Sequence, residues 1–326
     1  MSHAPVLLHE AIAAVAPRAG DVIVDATFGG GGYTRALLEA ADCKVIALDR
    51  DPDAITRARA FARLSPWRLE AREGKFGDLE TLVPEGVDAV ALDLGVSSFQ
   101  LDEPERGFSF RFEAPLDMRM GTRGPSAADA VARLSEEALA DAIWALGEET
   151  ASRRIARFLI EARREAPIAT TSRLADLVER ALGGRKGART HPATKTFQAL
   201  RMLVNDELGE LARALAAAET RLNPEGRLVV VSFHSLEDRV VKNFMVDRSG
   251  GGGRGSRYAP DRPAGRPASW RVPHRKAIAP SEQELAANPR ARSGKLRLAV
   301  RTHEPAWGPY APRALAPIAQ AEWEQL

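Results

Sequence analysis

Only one cysteine, Cys43, is present among the 326 residues, and aromatic residues make up only 6% of the chain. A single cysteine can form neither an internal disulfide nor a cysteine-rich zinc site. No apolar stretch approaches the length that a bilayer span requires. The first residues, Met1 to Pro5, contain no basic region followed by an apolar core, so we expect no secretory signal. These absences predict a cytoplasmic protein with no membrane association, and no metal site is predicted.

Charge of either sign is nearly balanced overall, at a formal net +2, but its distribution is uneven. Residues 248–301 contain thirteen Lys and Arg against three Asp and Glu, a net charge of +10. A second basic cluster comprises Arg185, Lys186, Arg189 and Lys195. Concentrated basic charge in Gly-, Pro- and Arg-rich sequence is typical of proteins with a polyanionic partner. A solvated loop is the alternative, and charge alone does not decide between them.

The most informative stretch runs from Asp25 to Thr34 and contains four consecutive glycines between an apolar run and a helical pattern. A glycine turn at this place lets the backbone approach a nucleotide-like ligand closely. The dinucleotide fingerprint Gly-x-Gly-x-x-Gly fails, because its third glycine falls on Thr34 or Arg35. Asp25 would repel a pyrophosphate and could instead meet an ammonium group. S-adenosylmethionine carries an ammonium and a carboxylate, so the turn favours this cofactor.

A second apolar run, Val45 to Asp49, ends in a carboxylate about twenty residues after the glycines. An acid at this place can accept hydrogen bonds from both ribose hydroxyls of a bound nucleotide. This feature suits either cofactor, whereas Asp25 and the broken fingerprint favour S-adenosylmethionine. An ordinary tight turn with a surface aspartate is the alternative.

The order of apolar and helical segments predicts an α/β sheet interrupted by a helical insertion. Sequence from about Pro104 to Leu222 is helical and rich in Ala, Arg and Glu, with caps expected at Ser135 and Ser172. We therefore expect a discontinuous cofactor-binding domain, residues 1–104 and 210–326, and an inserted all-helical substrate-recognition domain, residues 105–209. The strands expected in the sheet are Val22–Phe28, Val45–Asp49, Trp67–Ala71, Val87–Leu94, Arg227–Phe233 after a turn at 223–226, and Leu296–Val300.

Three polar residues follow predicted strand ends. Asp93, at the end of the fourth strand, could accept a hydrogen bond from an exocyclic amine and help to remove its proton. Gln100 offers a donor and an acceptor, although a surface glutamine is equally compatible. His234 could contact a base, with a simple packing role as the alternative. Ser235 and Asp238 after it fit a helix cap. Cys43 precedes the second strand, so carbon-5 methylation of cytosine through a cysteine is not predicted.

With these segments assembled, the chain resembles the RsmH (also called MraW) family of bacterial ribosomal RNA small-subunit methyltransferases. The resemblance runs nearly end to end. Besides the glycine turn, it is carried by these stretches: 6–11, 49–52, 93–98, 106–110, 115–120, 191–194, 197–201, 232–239 and 288–293.

The resemblance implies a Rossmann-like class I methyltransferase sheet and methylation of the N4 amine of a cytosine in the decoding region of 16S rRNA, with S-adenosylmethionine as cofactor. It places the cofactor on these residues: Gly31, Gly32, Tyr33, Asp49, Phe76, Asp93 and Gln100. Two departures are visible, since Tyr33 stands where many members have His and Phe99 where many have Pro. A backbone contact from Tyr33 would survive the first change.

Two other classes of protein remain open at this point. A dehydrogenase would need nicotinamide binding, which the broken fingerprint disfavours. A non-enzymatic RNA-binding assembly factor could use the same basic charges, but would have little need of the glycine turn and Asp49. The sequence also leaves open a homodimer, and whether free 16S rRNA or the small ribosomal subunit is the partner.

Overall fold

The structure, a computed structural model, describes residues 5–185, 190–250, 266–312 and 316–326. Helices and strands alternate as far as residue 93, after which helices dominate until the fifth strand begins. The strands are β1 (Val22–Asp25), β2 (Lys44–Asp49), β3 (Leu69–Glu73), β4 (Val87–Asp93), β5 (Leu222–Ser232), β6 (Trp270–Arg271) and β7 (Lys295–Arg301). The helices are α1 (Leu8–Val15), α2 (Gly32–Ala40), α3 (Pro52–Ala62), α4 (Leu79–Leu82), α5 (Ser98–Asp102), α6 (Ala127–Arg133), α7 (Glu136–Ala145), α8 (Ser152–Glu165), α9 (Thr171–Leu182), α10 (Thr194–Val204), α11 (Glu207–Arg221), α12 (Ser235–Arg248), α13 (Glu282–Ala287) and α14 (Pro317–Trp323).

The strands form one seven-stranded sheet in the order β3-β2-β1-β4-β5-β7-β6. Strands β1 to β5 are parallel, and β7 runs antiparallel to β5. The chain moves outward from β1 to β3 and then returns to the other side of β1, so the order reverses between β1 and β4. Open α/β sheets bind ligands beyond the carboxyl ends of the strands at such a switch point. The expected Rossmann-like α/β fold is confirmed.

Burial explains why these segments form strands. In β4 all residues except Asp88 and Asp93 are buried, as expected for a central parallel strand covered on both faces. Apolar side chains of α1, α2 and α3 join those of the strands in one hydrophobic core. The strands thus hold their carboxyl ends at fixed positions along one edge.

The turn expected at residues 223–226 occurs inside β5 instead of before it. Val87 pairs with Leu222 and Ala89 pairs with Arg227, so four residues on β5 oppose one on β4. Glu225 at this irregularity has a φ of +65°. Residues 223–226 therefore form a bulge within β5 and do not end the strand, because the residues before and after them both pair with β4.

Helix starts mostly follow local chemistry. The side chain of Asp51 accepts a hydrogen bond from the backbone of Asp53 and caps α3, while Ser135 caps α7 as expected. The cap of α9 is Thr170, two residues before the expected Ser172. Either hydroxyl can cap a helix, so the sequence alone did not separate them.

By internal contacts, the chain divides into Met1–Gly95 with Leu208–Pro312, and Val96–Glu207 with Arg313–Leu326. We call these the sheet unit and the helical unit. The expected first domain extended to residue 326, whereas α14 belongs to the helical unit. Asp141 of α7 accepts hydrogen bonds from the first turn of α14, and the Glu322 carboxylate accepts two from Ser135. Within the described residues, no helix combines the length and the apolar character needed to cross a membrane.

Candidate functional site

Three aspartates stand at the carboxyl ends of neighbouring strands. Asp25 ends β1, Asp49 ends β2 and Asp93 ends β4. Because β1 pairs with both β2 and β4, all three lie on one edge of the sheet, around the switch point. This edge of the sheet unit, which we call the carboxyl edge, is the candidate site.

Asp25 is fully buried and organises the glycine turn. One carboxylate oxygen accepts a 2.6 Å hydrogen bond from the Thr34 hydroxyl, and the other accepts one from the backbone of Thr27. Burial raises the pKa of Asp25 to about 6, with a further increase from Asp49, while the hydrogen bonds oppose the rise. The ammonium contact expected of Asp25 stays a prediction. Sequence reasoning missed Thr27 and Thr34 as partners of Asp25. Their presence within the Asp25–Thr34 stretch was the signal that could have identified them.

Asp49 ties the end of β2 to the same turn. Its two carboxylate oxygens accept hydrogen bonds from the backbone N–H groups of Gly29, at 2.8 Å, and Asp51, at 2.9 Å. Burial raises the pKa of Asp49, and these hydrogen bonds limit the increase. A carboxylate held at both oxygens keeps a fixed orientation and retains lone pairs for further donors. Its expected role toward ribose hydroxyls is compatible with this geometry.

The glycine turn requires glycine at position 31. Its φ is +77°, and a Cβ there would lie 2.7 Å from the Cζ atom of the Phe28 ring. The Gly31 N–H donates to the Phe28 carbonyl, which closes the turn before α2 begins at Gly32. The first turn of α2 then presents backbone N–H groups that a helix cannot satisfy internally. Such groups bind anions and carboxylates.

The Tyr33 side chain is engaged by the N-terminal segment. Its hydroxyl donates a 2.5 Å hydrogen bond to the carbonyl of Val6, and the ring is buried. Burial raises the pKa of Tyr33 well above its usual value, with smaller contributions from Asp93 and Asp25. The expected cofactor contact of the Tyr33 backbone stays a prediction.

Asp93 has an oxygen with no described partner. Its backbone N–H donates a 2.7 Å hydrogen bond to the Thr27 hydroxyl, which fixes the end of β4 against β1. The Oδ1 atom is buried and makes no hydrogen bond to the described residues. Burial raises the pKa of Asp93 well above its usual value, and the neighbouring Asp25 and Glu237 raise it further.

These features fit S-adenosylmethionine. Crowded buried carboxylates favour a ligand with positive charge, because a nearby cation stabilises their ionised forms. The cofactor has a sulfonium and an ammonium, and its carboxylate matches the N–H groups at the start of α2. The buried Asp93 Oδ1, which makes no hydrogen bond to the described residues, points to a ligand at this edge.

Phe76 lies after β3 in a short turn of 3₁₀ helix and is partly exposed. Glu210 of α11, which sequence reasoning missed, holds this turn. Its carboxylate is buried, accepts a 3.0 Å hydrogen bond from the Gly77 N–H and lies 3.2 Å from the Lys75 ammonium. No local signal could have identified Glu210, because its partner Gly77 is 133 positions away.

Gln100 belongs to the helical unit and is buried. Its Oε1 atom accepts a 2.9 Å hydrogen bond from the Ser97 N–H, and the Ser97 hydroxyl accepts one from the Gln100 N–H. The pair forms a capping box at the start of α5. The surface alternative for Gln100 is therefore wrong, and its cofactor contact stays a prediction.

His234 is the N-cap of α12, one position before the expected cap at Ser235. Its Nδ1 atom accepts a hydrogen bond from the Glu237 N–H, so Nε2 carries the proton of the neutral ring. Nε2 lies 3.1 Å from the Glu237 carboxylate, outside hydrogen-bond geometry. That carboxylate also accepts from the Phe233 N–H. Capping explains the position of His234, and its catalytic role stays a prediction.

The predicted basic segments fall partly outside the described residues. Residues 251–265, within the basic 248–301 stretch, and residues 186–189, with Lys186 and Arg189, are not among those the structure describes. Arg185 lies 3.1 Å from the Glu179 carboxylate, and Lys195 donates a 2.9 Å hydrogen bond to the Glu148 carbonyl. Their role in phosphate binding stays a prediction.

Three curated relatives of this chain share one name, Ribosomal RNA small subunit methyltransferase H. The protein from Hyphomonas neptunium is 58% identical over 305 residues, which cover 92% of this chain and 89% of that protein. The protein from Maricaulis maris is 53% identical over 327 residues and 98% of each chain, and the one from Caulobacter vibrioides is 55% identical over 306 residues, 94% of this chain and 97% of that protein.

Solved structures resemble the chain more distantly. An rRNA methylase from Streptococcus thermophilus matches 93% of this chain and 99% of its own, with a TM-score of 0.38 and 13% identity. A methyltransferase from Streptococcus mutans in complex with SAH matches 90% of this chain and 96% of its own, with a TM-score of 0.38 and 14% identity.

The model of the MraW methylase family matches residues 1–302, nearly the whole chain. The cofactor of this family is S-adenosylmethionine, which confirms the choice made from Asp25 and the broken dinucleotide fingerprint. With relatives above 50% identity over nine tenths of its length, this chain belongs to the MraW methylase family.

Proposed function

We propose that this protein transfers a methyl group from S-adenosylmethionine to the N4 amine of a cytosine in the decoding region of 16S rRNA. The observation that carries the proposal is the Asp93 carboxylate at the carboxyl edge, whose buried Oδ1 atom makes no hydrogen bond to the described residues. The name shared by the curated relatives, Ribosomal RNA small subunit methyltransferase H, supports the class of substrate.

Residues of the sheet unit would hold the cofactor. The backbone of the glycine turn, with Gly31, Gly32 and Tyr33, would bind its amino-acid end, and Asp49 would accept hydrogen bonds from the ribose hydroxyls. Phe76 would contact the adenine. When bound, S-adenosylmethionine supplies an electrophilic methyl group on a positively charged sulfur.

Asp93 would position the amine that is methylated. A carboxylate acceptor holds one N–H of an exocyclic amine and turns the nitrogen lone pair toward the electrophile, and it can receive the proton that the amine loses. Its raised pKa means that a free Asp93 holds its proton to higher pH than an ordinary aspartate. A positive charge bound beside it favours the ionised form, which is the form that accepts a hydrogen bond.

Orientation and exclusion of water complete the mechanism. The target cytosine has to leave its stack before the amine can reach a buried carboxylate. Held in line, amine and methyl group react as neighbours instead of by chance encounter, which lowers the entropic part of the barrier. We assign substrate recognition to the helical unit. The proposed partner is 16S rRNA within the small ribosomal subunit, in the cytoplasm, and a homodimer stays a prediction.

Transfer of labelled methyl from S-adenosylmethionine to small ribosomal subunits that lack the modification tests this proposal. Digestion to nucleosides and mass spectrometry would identify the product. We expect one N4-methylated cytidine at a decoding-region site, and no further label on subunits that already carry it.

Label on another base, or on a carbon of cytosine, would contradict the proposed atom. Cofactor binding without transfer to subunits or to free 16S rRNA would leave the fold and cofactor intact but refute the substrate. It would also favour the alternative of a non-enzymatic RNA-binding protein.

A further inference from the structure

A short aromatic loop in the helical unit carries an exposed phenylalanine. The loop, residues 108–113, reads Phe-Ser-Phe-Arg-Phe-Glu. Phe108 is buried and Phe110 is partly buried, whereas the Phe112 side chain is 59% exposed. Burying an aromatic ring is favourable, so a ring left in water on a structured loop indicates a surface used for binding.

The loop is held on both sides of Phe112. The Phe110 ring stacks on the His191 ring at 4.4 Å between centroids and meets the Phe197 ring edge-on at 5.0 Å. The backbone of Phe112 itself is held by the Thr171 hydroxyl, which donates a 2.8 Å hydrogen bond to the Phe112 carbonyl. Phe112 is thus presented from fixed backbone, which reduces the conformational entropy lost on binding.

Thr171 also fixes the residue that follows the loop. Its N–H donates to the Ala114 carbonyl at 2.9 Å, and its hydroxyl accepts from the Ala114 N–H at 3.2 Å. Thr171 is the first residue of α9, so the loop is attached to the start of a helix of twelve residues. The position of Phe112 is therefore determined by the fold of the helical unit.

Phe112 has a charged neighbour on each side, the cation Arg111 and the acid Glu113, and both are exposed. Arg111 is exposed, and within the described part of the chain its guanidinium forms no ion pair. Glu113 is the only acid within the loop. Trp144 of α7, another exposed aromatic in this unit at 62%, instead follows Glu136, Glu137 and Asp141 on its own helix. Phe112 is thus an exposed ring that adjoins a cation without an ion pair to the described residues.

We propose that the aromatic loop binds single-stranded RNA, with a base stacked on Phe112 and a phosphate contacted by Arg111. An aromatic face beside a guanidinium matches one unpaired nucleotide, because the ring stacks on any base and the guanidinium pairs with its phosphate. The inference rests on the proposed function, since it assumes an RNA substrate. It assigns a role to residues 106–110 and 191–194, which the methyl-transfer chemistry does not use.

Binding of a labelled oligonucleotide with the decoding-region sequence to the full-length protein tests the loop directly. Phe112→Leu keeps an apolar side chain but removes the π face. We expect its affinity to fall about 5- to 150-fold, the range that stacking on one aromatic side chain provides, and Phe112→Trp to restore it. Arg111→Gln should weaken binding and reduce the salt slope by about one.

Trp144→Leu is the matched control, because it makes the same kind of change at an exposed ring in acidic surroundings, and its affinity should stay unchanged. Unaltered RNA affinity of Phe112→Leu would overturn the inference. A second variant, Phe112→Glu, tests for an apolar contact with a ribosomal protein. If Phe112→Leu binds RNA normally and Phe112→Glu loses affinity only for whole subunits, Phe112 contacts protein and the inference is overturned. Methyl transfer by the wild-type protein, measured separately, decides the proposed function, so the two can fail independently.

Discussion

The Asp25 carboxylate accepts a 2.6 Å hydrogen bond from the hydroxyl of Thr34, nine residues further along the chain. This bond spans the glycine turn and connects the end of β1 to the first turn of α2. The acid that sequence reasoning assigned to the cofactor therefore also holds the turn in shape. Its burial has a consequence for stability that can be measured.

Asp25→Asn should remove a pH-dependent decrease in the free energy of unfolding. The pKa of Asp25 in the folded protein is about 6, above the ordinary value of 3.8. Between these values the folded state binds more protons than the unfolded state, so the contribution of Asp25 to the free energy of unfolding falls as the pH rises. The full cost, present above pH 6, is about 3 kcal/mol by the conversion of pKa shifts.

Urea unfolding of both proteins at several pH values between 4.5 and 7.5 checks this. Asn can still accept from the Thr27 N–H, and its amide can donate to the Thr34 hydroxyl, so the turn should persist. The variant should gain stability relative to wild type as the pH rises. A difference that is constant across this range would show that Asp25 does not titrate as its burial implies.

Asp93→Ala should abolish methyl transfer without unfolding the protein. The substitution removes the acceptor for the amine together with a buried oxygen that makes no hydrogen bond to described residues, so little stability is lost. Methyl transfer to unmodified small subunits measures the activity of the variant, and thermal unfolding measures its stability. Asp93→Asn is the size-matched companion, which retains an acceptor but cannot take the proton. Near-normal turnover of Asp93→Ala would refute the assigned role.

Gly31→Ala should weaken cofactor binding strongly. The new methyl would meet the Phe28 ring at 2.7 Å, and the residue would keep a φ of +77°. Gly20→Ala is the control for backbone strain, since Gly20 has a φ of +87° and no heavy atom within 4 Å of its Cβ position. Both variants should lose about 1 kcal/mol from the left-handed conformation, and only Gly31→Ala should lose cofactor affinity by calorimetry. Equal affinities would show that the turn tolerates the methyl.

Tyr33→Phe should reduce stability by about 1 kcal/mol and leave cofactor affinity nearly unchanged. The hydroxyl is bonded to the Val6 carbonyl, so its removal leaves a buried acceptor without its donor. Denaturant unfolding measures the first effect and equilibrium cofactor binding the second. A large loss of affinity at unchanged stability would mean that the Tyr33 hydroxyl contacts the cofactor.

Several features could be inferred from short stretches of sequence because their causes are local. Apolar runs that end in Asp25, Asp49 and Asp93 predicted three of the central strands, and parallel pairing then brought the acids to one edge. The glycine turn followed from residues that tolerate positive φ. The bounds were less accurate, because where pairing stops depends on the neighbouring strand, as the bulge opposite Asp88 shows.

Other features depended on contacts between distant positions. Glu210 holds the turn after Phe76, Val6 accepts from Tyr33, and α14 packs on α7 instead of joining the sheet. The cap at His234 in place of Ser235 was similarly out of reach, since several nearby residues offer acceptors and the path of the chain selects one. None of these choices leaves a periodic pattern.

The residue order was sufficient for an α/β sheet with a helical insertion, for the preference for S-adenosylmethionine and for the acids at the strand ends, since strand periodicity and turn chemistry act between near neighbours. The raised pKa values of Asp25 and Asp93, the direction of the Tyr33 side chain and the exposure of Phe112 came from the folded arrangement. Burial and electrostatic interaction depend on every group within a few ångströms, and folding brings those groups together from all parts of the chain.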